Sequence, residues 1–180
     1  MKKFNFLRFI FLIAICMLLS NVSVVNAQRR SSTARRGATA RTTASAGNAA
    51  VIKQNSEKVA DKIKTLARFI YLYGGSVSQI QTIEADARSR KLSQDTQQKY
   101  EAGKKGLVLT IRNFKVAMSD LENDFRSAPA LKPYLLKITG VADLAGVAED
   151  QAAANQYDQS GRTLLDLMNQ LTDVLLAMRS

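Results

Sequence analysis

The residues best suited to chemistry include a short acidic run near the middle of the chain. Asp120, Glu122 and Asp124 alternate with other residues, as carboxylates do at the start of a calcium-binding loop. Leu121 and Phe125, however, fall on a predicted apolar helix seam, and Phe125 stands where such a loop needs a glycine for its turn. We therefore expect a helix with a solvated outer face here, and no metal site.

A second pair of carboxylates, Glu149 and Asp150, could do acid–base work if it were desolvated. Adjacent residues of a helix point about 100° apart, so we expect both to be solvated. The chain has no histidine, and its one cysteine, Cys16, lies in the N-terminal apolar segment. The commonest general base and the Ser–His and Cys–His pairs are thus missing. We expect no catalytic residue, metal or cofactor and no enzyme activity; an enzyme using carboxylates, lysine or tyrosine stays an alternative.

An aromatic cluster at residues 69–73 is the candidate interaction patch. Phe69, Tyr71, Leu72 and Tyr73 make the end of a predicted helix apolar around its whole circumference. Such an end is either covered by a neighbouring helix or presented to a partner, ligand or membrane. Aromatic residues at helical spacing usually fill cores, so we expect the following helix to bury this cluster. The alternative is an exposed binding surface.

The N-terminus has the three parts of a secretory signal peptide. Basic residues precede an apolar run over residues 9–19, and a small-residue cleavage site ends at Ala27. This pattern predicts export to the periplasm or the cell exterior, with cleavage after Ala27. The alternative is a membrane anchor through an uncleaved segment, residues 6–25. Cleavage would remove Cys16, so the mature domain could form no disulfide.

Residues 28–47 contain arginine and small residues but no large apolar side chain, so we expect a disordered linker. The net charge of +11 divides into +3 for residues 1–27, +5 for this linker and +3 for residues 48–180. The nearly balanced domain gives no reason to expect nucleic-acid binding. The linker is expected to act as a spacer; the alternative is an electrostatic tether to an anionic surface. The arginines of this candidate tether are Arg29, Arg30, Arg35, Arg36 and Arg41.

Apolar residues recur every three or four positions through the rest of the chain, which predicts helices rather than strands. Gly74-Gly75 is expected to end the first helix, and a turn at residues 158–161 to precede the last. Since proline is tolerated in the first turn of a helix, the fourth helix should begin near Pro129 or Pro133; its continuity through Gly140 stays open. The first three helices are expected at about residues 48–73, 76–91 and 93–127, and the last is expected to end near Met178.

Long helices joined by short loops favour antiparallel neighbours, and seams with a period of 3.5 favour crossing angles near 20°. We therefore predict an all-α domain over residues 48–180, an antiparallel up-and-down bundle of about four main helices with one short extra helix. Its expected function is that of a non-catalytic module that binds a protein or another component of the envelope or the cell exterior. A small-molecule-binding bundle with a pocket between helices is the alternative, and self-association stays open.

Overall fold

The structure, a computed structural model, describes residues 40–89 and 92–179, with side chains from residue 46 onward. Within these ranges the chain forms helices and no strand, and four long helices pack against one another. The predicted all-α antiparallel bundle is therefore confirmed. In chain order the elements are α1 (Ala40–Ser89), α2 (Gln94–Ser127), a 3₁₀ helix (Pro129–Tyr134), α3 (Leu135–Ile138), α4 (Val141–Ala153) and α5 (Tyr157–Arg179).

The contacts between α1 and α2 show that these two helices run antiparallel. The amine of Lys58 lies 2.7 Å from the carboxylate of Asp124, whereas Glu84 accepts a hydrogen bond from Tyr100. Residue numbers therefore fall along α2 as they rise along α1, as expected for helices joined by a short connection.

The other two long helices close the bundle in the same alternating sense. Arg112 of α2 pairs with Glu149 of α4 at 2.7 Å, and α4 packs along α5, to which a short turn connects it. Tyr73 of α1 completes the ring by donating a hydrogen bond of 2.9 Å to the backbone oxygen of Tyr157 in α5. Each long helix therefore packs against two antiparallel neighbours.

The core is filled by the apolar seams that the sequence predicts. In α1, Val59, Leu66 and Tyr73 are buried in the same cluster as the seam of α2. Burying one large apolar side chain fully stabilises a fold by about 1.5–3 kcal/mol, so these layers account for the association of the helices. The buried seam residues of α2 are Leu107, Ile111, Phe114, Met118, Leu121 and Phe125.

The predicted end of the first helix at Gly74-Gly75 is wrong, because α1 continues through both residues without a break. A glycine ends a helix where it takes a left-handed conformation, and Gly140 is the only glycine among the described residues that has a positive φ. The hydroxyl of Ser76, in what was predicted to be a new helix, donates back to the carbonyl of Leu72 within the same helix. The predicted short extra helix is thus the second part of α1.

The described part of residues 76–105 extends past the other helices as a two-helix arm. α5 begins at the level of Tyr73, to which it is hydrogen-bonded, and α4 ends soon after Glu149, which pairs with Arg112. α4 and α5 therefore do not run alongside the arm, although Tyr157 at the start of α5 lies close enough to Glu84 for that carboxylate to add to the effect of burial in raising the pKa of Tyr157. At the base of the arm Val77 and Ile80 are buried in the core cluster, whereas none of the described residues between 81 and 106 is buried. We call the remaining part of α1 and α2, together with α3, α4 and α5, the body.

The chain breaks at Gly140, which answers the question of helix continuity there. The 3₁₀ helix begins at Pro129, in keeping with the preference of proline for a first turn, and α3 follows it. Gly140 then adopts a φ of 94° and leaves α4 without a capping side chain of its own. Glu122 of α2 supplies the cap, because its Oε1 accepts hydrogen bonds of 3.0 Å from the N–H groups of Gly140 and Ala142.

The last helix begins earlier than predicted. Residues 158–161, expected as a turn, form the first turn of α5, and the chain turns instead at Asn155, whose φ is 61°. The hydroxyl of Ser160 donates a hydrogen bond of 2.8 Å to the backbone oxygen of Ala148. A Cβ atom at Gly161 would lie 3.4 Å from a tyrosine ring of α1. Ser160 and Gly161 are therefore small or polar because they contact neighbouring helices. Residues of these types are also common in turns, so the sequence suggested a turn here.

Candidate interaction surface

Two of the four residues of the predicted patch lie inside the bundle. Tyr73 is buried, and the ring of the half-buried Phe69 lies 5.2 Å from that of Phe114 and 5.7 Å from that of Tyr73. Residues four apart share one side of a helix, so both continue the seam of α1. Aromatic pairs of this kind stabilise a core beyond the area that they bury.

Tyr71 and Leu72 lie on the outside of α1, so the expectation that the whole cluster would be buried is wrong. Tyr71 is 85% exposed and Leu72 is 39% exposed. At about 100° per residue, Tyr71 points about 160° away from Tyr73. Because α1 continues as the arm instead of turning at the glycines, no following helix folds back over these two side chains.

Ala67 and Arg68, which the sequence pattern did not indicate, border these two side chains. Together with Tyr71 and Leu72 they line a shallow groove on the outer face of α1, and we call these four residues the docking surface. Neither the guanidinium of Arg68 nor the hydroxyl of Tyr71 has a hydrogen bond or ion pair within the described part of the chain. Their spacing of three residues, which brings side chains together on a helix, was the sequence signal that could have found them.

Tyr73 fixes this turn of α1 to the body from the inside. Its hydroxyl donates to the backbone oxygen of Tyr157, and Tyr157 in turn donates a hydrogen bond of 3.0 Å to the side-chain oxygen of Asn155. Burial raises the pKa of Tyr73, and it raises the pKa of Tyr157 to about 12. Both hydroxyls therefore stay protonated donors at neutral pH, and the docking surface rests on a well-held part of the bundle.

The arm carries a half-buried polar cluster of its own. Tyr100 donates a hydrogen bond to the carboxylate of Glu84, and the amine of Lys104 lies 3.2 Å from the Tyr100 oxygen and 5.0 Å from the centre of its ring. Burial, and then the hydrogen bond to Glu84, raises the pKa of Tyr100. A phenol in this state is no base at neutral pH, so the cluster joins the two helices of the arm rather than providing acid–base chemistry.

Glu149 is buried, which corrects the expectation that it would be solvated. Only 7% of the residue is exposed, and its carboxylate oxygens lie 2.7 Å from Nε of Arg112 and 3.4 Å from Nζ of Lys115, both on α2. The hydrogen bond from Arg112 lowers the pKa of Glu149; desolvation opposes this effect and Lys115 adds to it. A carboxylate held ionised in this way joins α2 to α4 and is poorly suited to act as a general acid.

The acidic run of α2 is helical, as predicted, and its carboxylates do not converge. Asp120 is exposed, and Asp124 pairs with Lys58. Glu122, only 6% exposed, caps α4 and also accepts a hydrogen bond of 2.8 Å from Arg126. Within residues 40–89 and 92–179, no group of three or more His, Cys, Asp or Glu side chains is placed to hold a metal ion.

Two shallow grooves among the described residues each lie on a single helix. One groove is the docking surface on α1, and another lies on the arm and is lined by α2 alone. A site for a small molecule usually has walls from several elements, so neither groove supports the alternative of a small-molecule-binding bundle. The residues that line the groove of the arm are Gln94, Gln97, Gln98, Glu101, Ala102 and Lys105.

The predicted signal peptide and most of the predicted linker lie outside the described residues. The expectation of disorder is wrong for residues 40–47, because α1 begins at Ala40 and Arg41 lies in its first turn; the structure does not describe the Arg41 side chain. The spacer role of the linker therefore stays a prediction, with the electrostatic tether as its alternative. No helix in the described ranges is both long enough and apolar enough to cross a bilayer. The other four arginines of the candidate tether, all outside the described residues, are Arg29, Arg30, Arg35 and Arg36.

Comparison with known proteins finds no matching family model, no matching curated protein and no matching solved structure. A functional proposal for this chain therefore rests on its own residues.

Proposed function

We propose that the chain is an exported, non-catalytic helical module that binds a protein of the envelope or the cell exterior through the docking surface. The observation that carries this proposal is the exposure of Tyr71, a large aromatic side chain whose hydroxyl has no partner within the described ranges. A single exposed apolar residue is normal on a protein surface. Tyr71 differs because it adjoins Leu72 and Arg68 on the same outer face, and Arg68 has no ion pair within residues 40–89 and 92–179.

The chemistry of the docking surface suits a protein partner. Tyrosine and arginine are among the residue types that most often dominate the binding energy of interfaces. Tyr71 offers an aromatic face and a hydroxyl, Leu72 adds apolar area, and Arg68 can pair with a carboxylate through two hydrogen bonds. A complementary partner would therefore present an apolar pocket with a carboxylate at its edge. Because Tyr73 holds this turn of α1, little backbone freedom is lost on binding.

The export part of the proposal rests on the N-terminal sequence pattern. Residues 1–27 would be removed, and the mature chain would begin at Gln28 outside the cytoplasm. Mass spectrometry of the chain recovered from extracytoplasmic fractions tests this, and the expected mass lacks the first 27 residues. A full-length mass in the membrane fraction would instead favour an anchor through residues 6–25.

Site-specific photocrosslinking in the producing cells tests the docking surface. A photoreactive phenylalanine analogue replaces Tyr71 in one variant and Leu136 in a matched control, since Leu136 is 91% exposed but lies on α3. We expect one discrete crosslinked protein from position 71, no such product from position 136, and loss of the product when Arg68→Glu is added. The same product from both positions, or none from position 71, would refute the proposal.

A further inference from the structure

Four glycines lie where the arm leaves the body. Gly74 and Gly75 directly follow Tyr73, whose hydroxyl is bonded to α5. Gly103 and Gly106 directly precede the part of α2 whose seam is buried. All four lie inside continuous helices, where glycine is among the least favourable residues.

No packing contact accounts for these four glycines. Apart from the backbone of its own helix turn, a Cβ atom at any of them would meet no atom within 4 Å, and none of them has the positive φ that favours glycine. The same chain shows the contrasting case at Gly146 and Gly161, where a Cβ atom would lie 3.4 Å from the side chains of Lys115 and Tyr73 respectively. Those two glycines allow helices to approach each other, whereas the four at the base of the arm have no such role.

Beyond Val77 and Ile80, which join the core cluster at its base, the arm lacks the packing that holds the body together. Neither α4 nor α5 extends along it, and none of its described residues beyond position 80 is buried. The hydrogen bond from Tyr100 to Glu84 joins the two arm helices to each other, so it would persist if both bent together. Regions with few buried contacts are the ones that move most readily in folded proteins.

We propose that these four glycines form a hinge through which the arm changes its angle to the body. Glycine gives the backbone the widest conformational freedom, and glycines are recognised sites of helix kinks. Their presence in both helices near one level lets the arm bend as a unit, as hinges of a few residues do in other proteins. The hinge is a property of the fold, and it stands whether or not the docking surface binds a partner.

Distances between spin labels, measured by pulsed electron paramagnetic resonance, test the hinge. The full chain carries Cys16→Ser, so that only introduced cysteines are labelled. Gln97→Cys on the arm is paired with Asp143→Cys on α4, and Asp143→Cys with Asp158→Cys provides a reference pair within the body. All three labelled positions are exposed. We expect a broad distribution of distances for the arm pair and a narrow one for the body pair.

Alanine substitutions then locate the motion. Changing Gly74, Gly75, Gly103 and Gly106 to alanine should narrow the arm distribution to the width of the body pair and raise the melting temperature, because alanine fits all four sites and favours helix. Gly47→Ala, at an open site of α1 outside the arm, is the matched control and should leave the arm distribution unchanged. An arm distribution that is narrow from the start, that the four alanines leave broad, or that Gly47→Ala narrows equally would overturn the hinge.

Discussion

The buried carboxylate of Glu122 on α2 closes the first turn of α4 by accepting a hydrogen bond of 3.0 Å from the backbone N–H of Ala142. The N–H of Gly140 donates to the same oxygen, also at 3.0 Å. A helix that has no local capping side chain is therefore capped from another helix. This contact holds the chain where it re-enters the bundle after α3.

Removing this cap should destabilise the protein. Glu122→Ala leaves the backbone N–H groups of Gly140 and Ala142, at the start of α4, without their acceptor, so we expect the free energy of unfolding to fall by about 2 kcal/mol. Urea denaturation followed by circular dichroism measures the change. Asp120→Ala, at an exposed carboxylate of the same helix, should alter it by less than about 0.5 kcal/mol. Equal effects of the two substitutions would show that the capping contact does not contribute.

The buried carboxylate of Glu149 should give the protein a distinct loss of stability in acid. Its pKa is lowered in the folded state, so its ion pairs stabilise the fold at pH values above the unfolded pKa of about 4.3. This stability is lost as the pH falls from there through the lower folded pKa. Glu149→Gln should therefore lower stability at pH 7 and flatten the dependence on pH in this acid range.

Urea denaturation at a series of pH values measures this dependence. Asp150→Asn is the matched control, because Asp150 is exposed and forms no ion pair among the described residues. The control should show the acid dependence of the wild type. A Glu149→Gln profile that runs parallel to the wild type would mean that Arg112 and Lys115 do not stabilise the fold through this carboxylate.

Removing a single hydroxyl should reveal how much the hydrogen bond between α1 and α5 contributes to stability. Tyr73→Phe deletes the hydroxyl that donates to the buried backbone oxygen of Tyr157, so we expect a loss of about 1 kcal/mol in the free energy of unfolding. Tyr71→Phe deletes an exposed hydroxyl instead and should leave stability unchanged. Chemical denaturation of both variants checks the prediction, and an unchanged stability of Tyr73→Phe would rule out this contact as an anchor.

Two glycine-to-alanine substitutions should change the stability of the fold in opposite directions. Gly140→Ala forces a φ of 94° on a residue with a Cβ atom and should destabilise the fold by about 1–2 kcal/mol. Gly103→Ala lies in an open helical position and should stabilise the fold by up to about 1 kcal/mol. Thermal denaturation of the two variants gives the signs directly; a shift in the same direction for both would show that backbone conformation does not separate these sites.

The seams of the bundle could be read from the sequence because burial follows helical periodicity. Ile111, Phe114 and Met118 recur at spacings of three and four, and all three are buried as expected. In α5, Leu164, Leu167, Leu171 and Val174 recur at the same spacings, and all four are buried as well. The period thus fixes the helix and its buried side, whereas the width of the buried face depends on the neighbouring helices.

The point at which α1 ends could not be predicted from the sequence in the same way. A pair of glycines ends a helix only if the backbone takes a left-handed turn, and the residue type permits that turn without requiring it. The misplaced end also hid the docking surface, since Tyr71 is exposed only because the chain runs on through Gly74-Gly75. The burial of Glu149 could not be predicted from the sequence for a related reason, because its partners Arg112 and Lys115 lie on another helix.

The docking surface is tested most directly by the affinity between this chain and the protein that crosslinks to position 71. Isothermal titration calorimetry would compare the wild type with Tyr71→Ala and with Leu136→Ala, at an equally accessible apolar site outside the docking surface. We predict that Tyr71→Ala weakens binding at least tenfold, or by about 1.4 kcal/mol, and that Leu136→Ala leaves it unchanged. Equal affinity of the wild type and Tyr71→Ala would contradict a binding role for this surface.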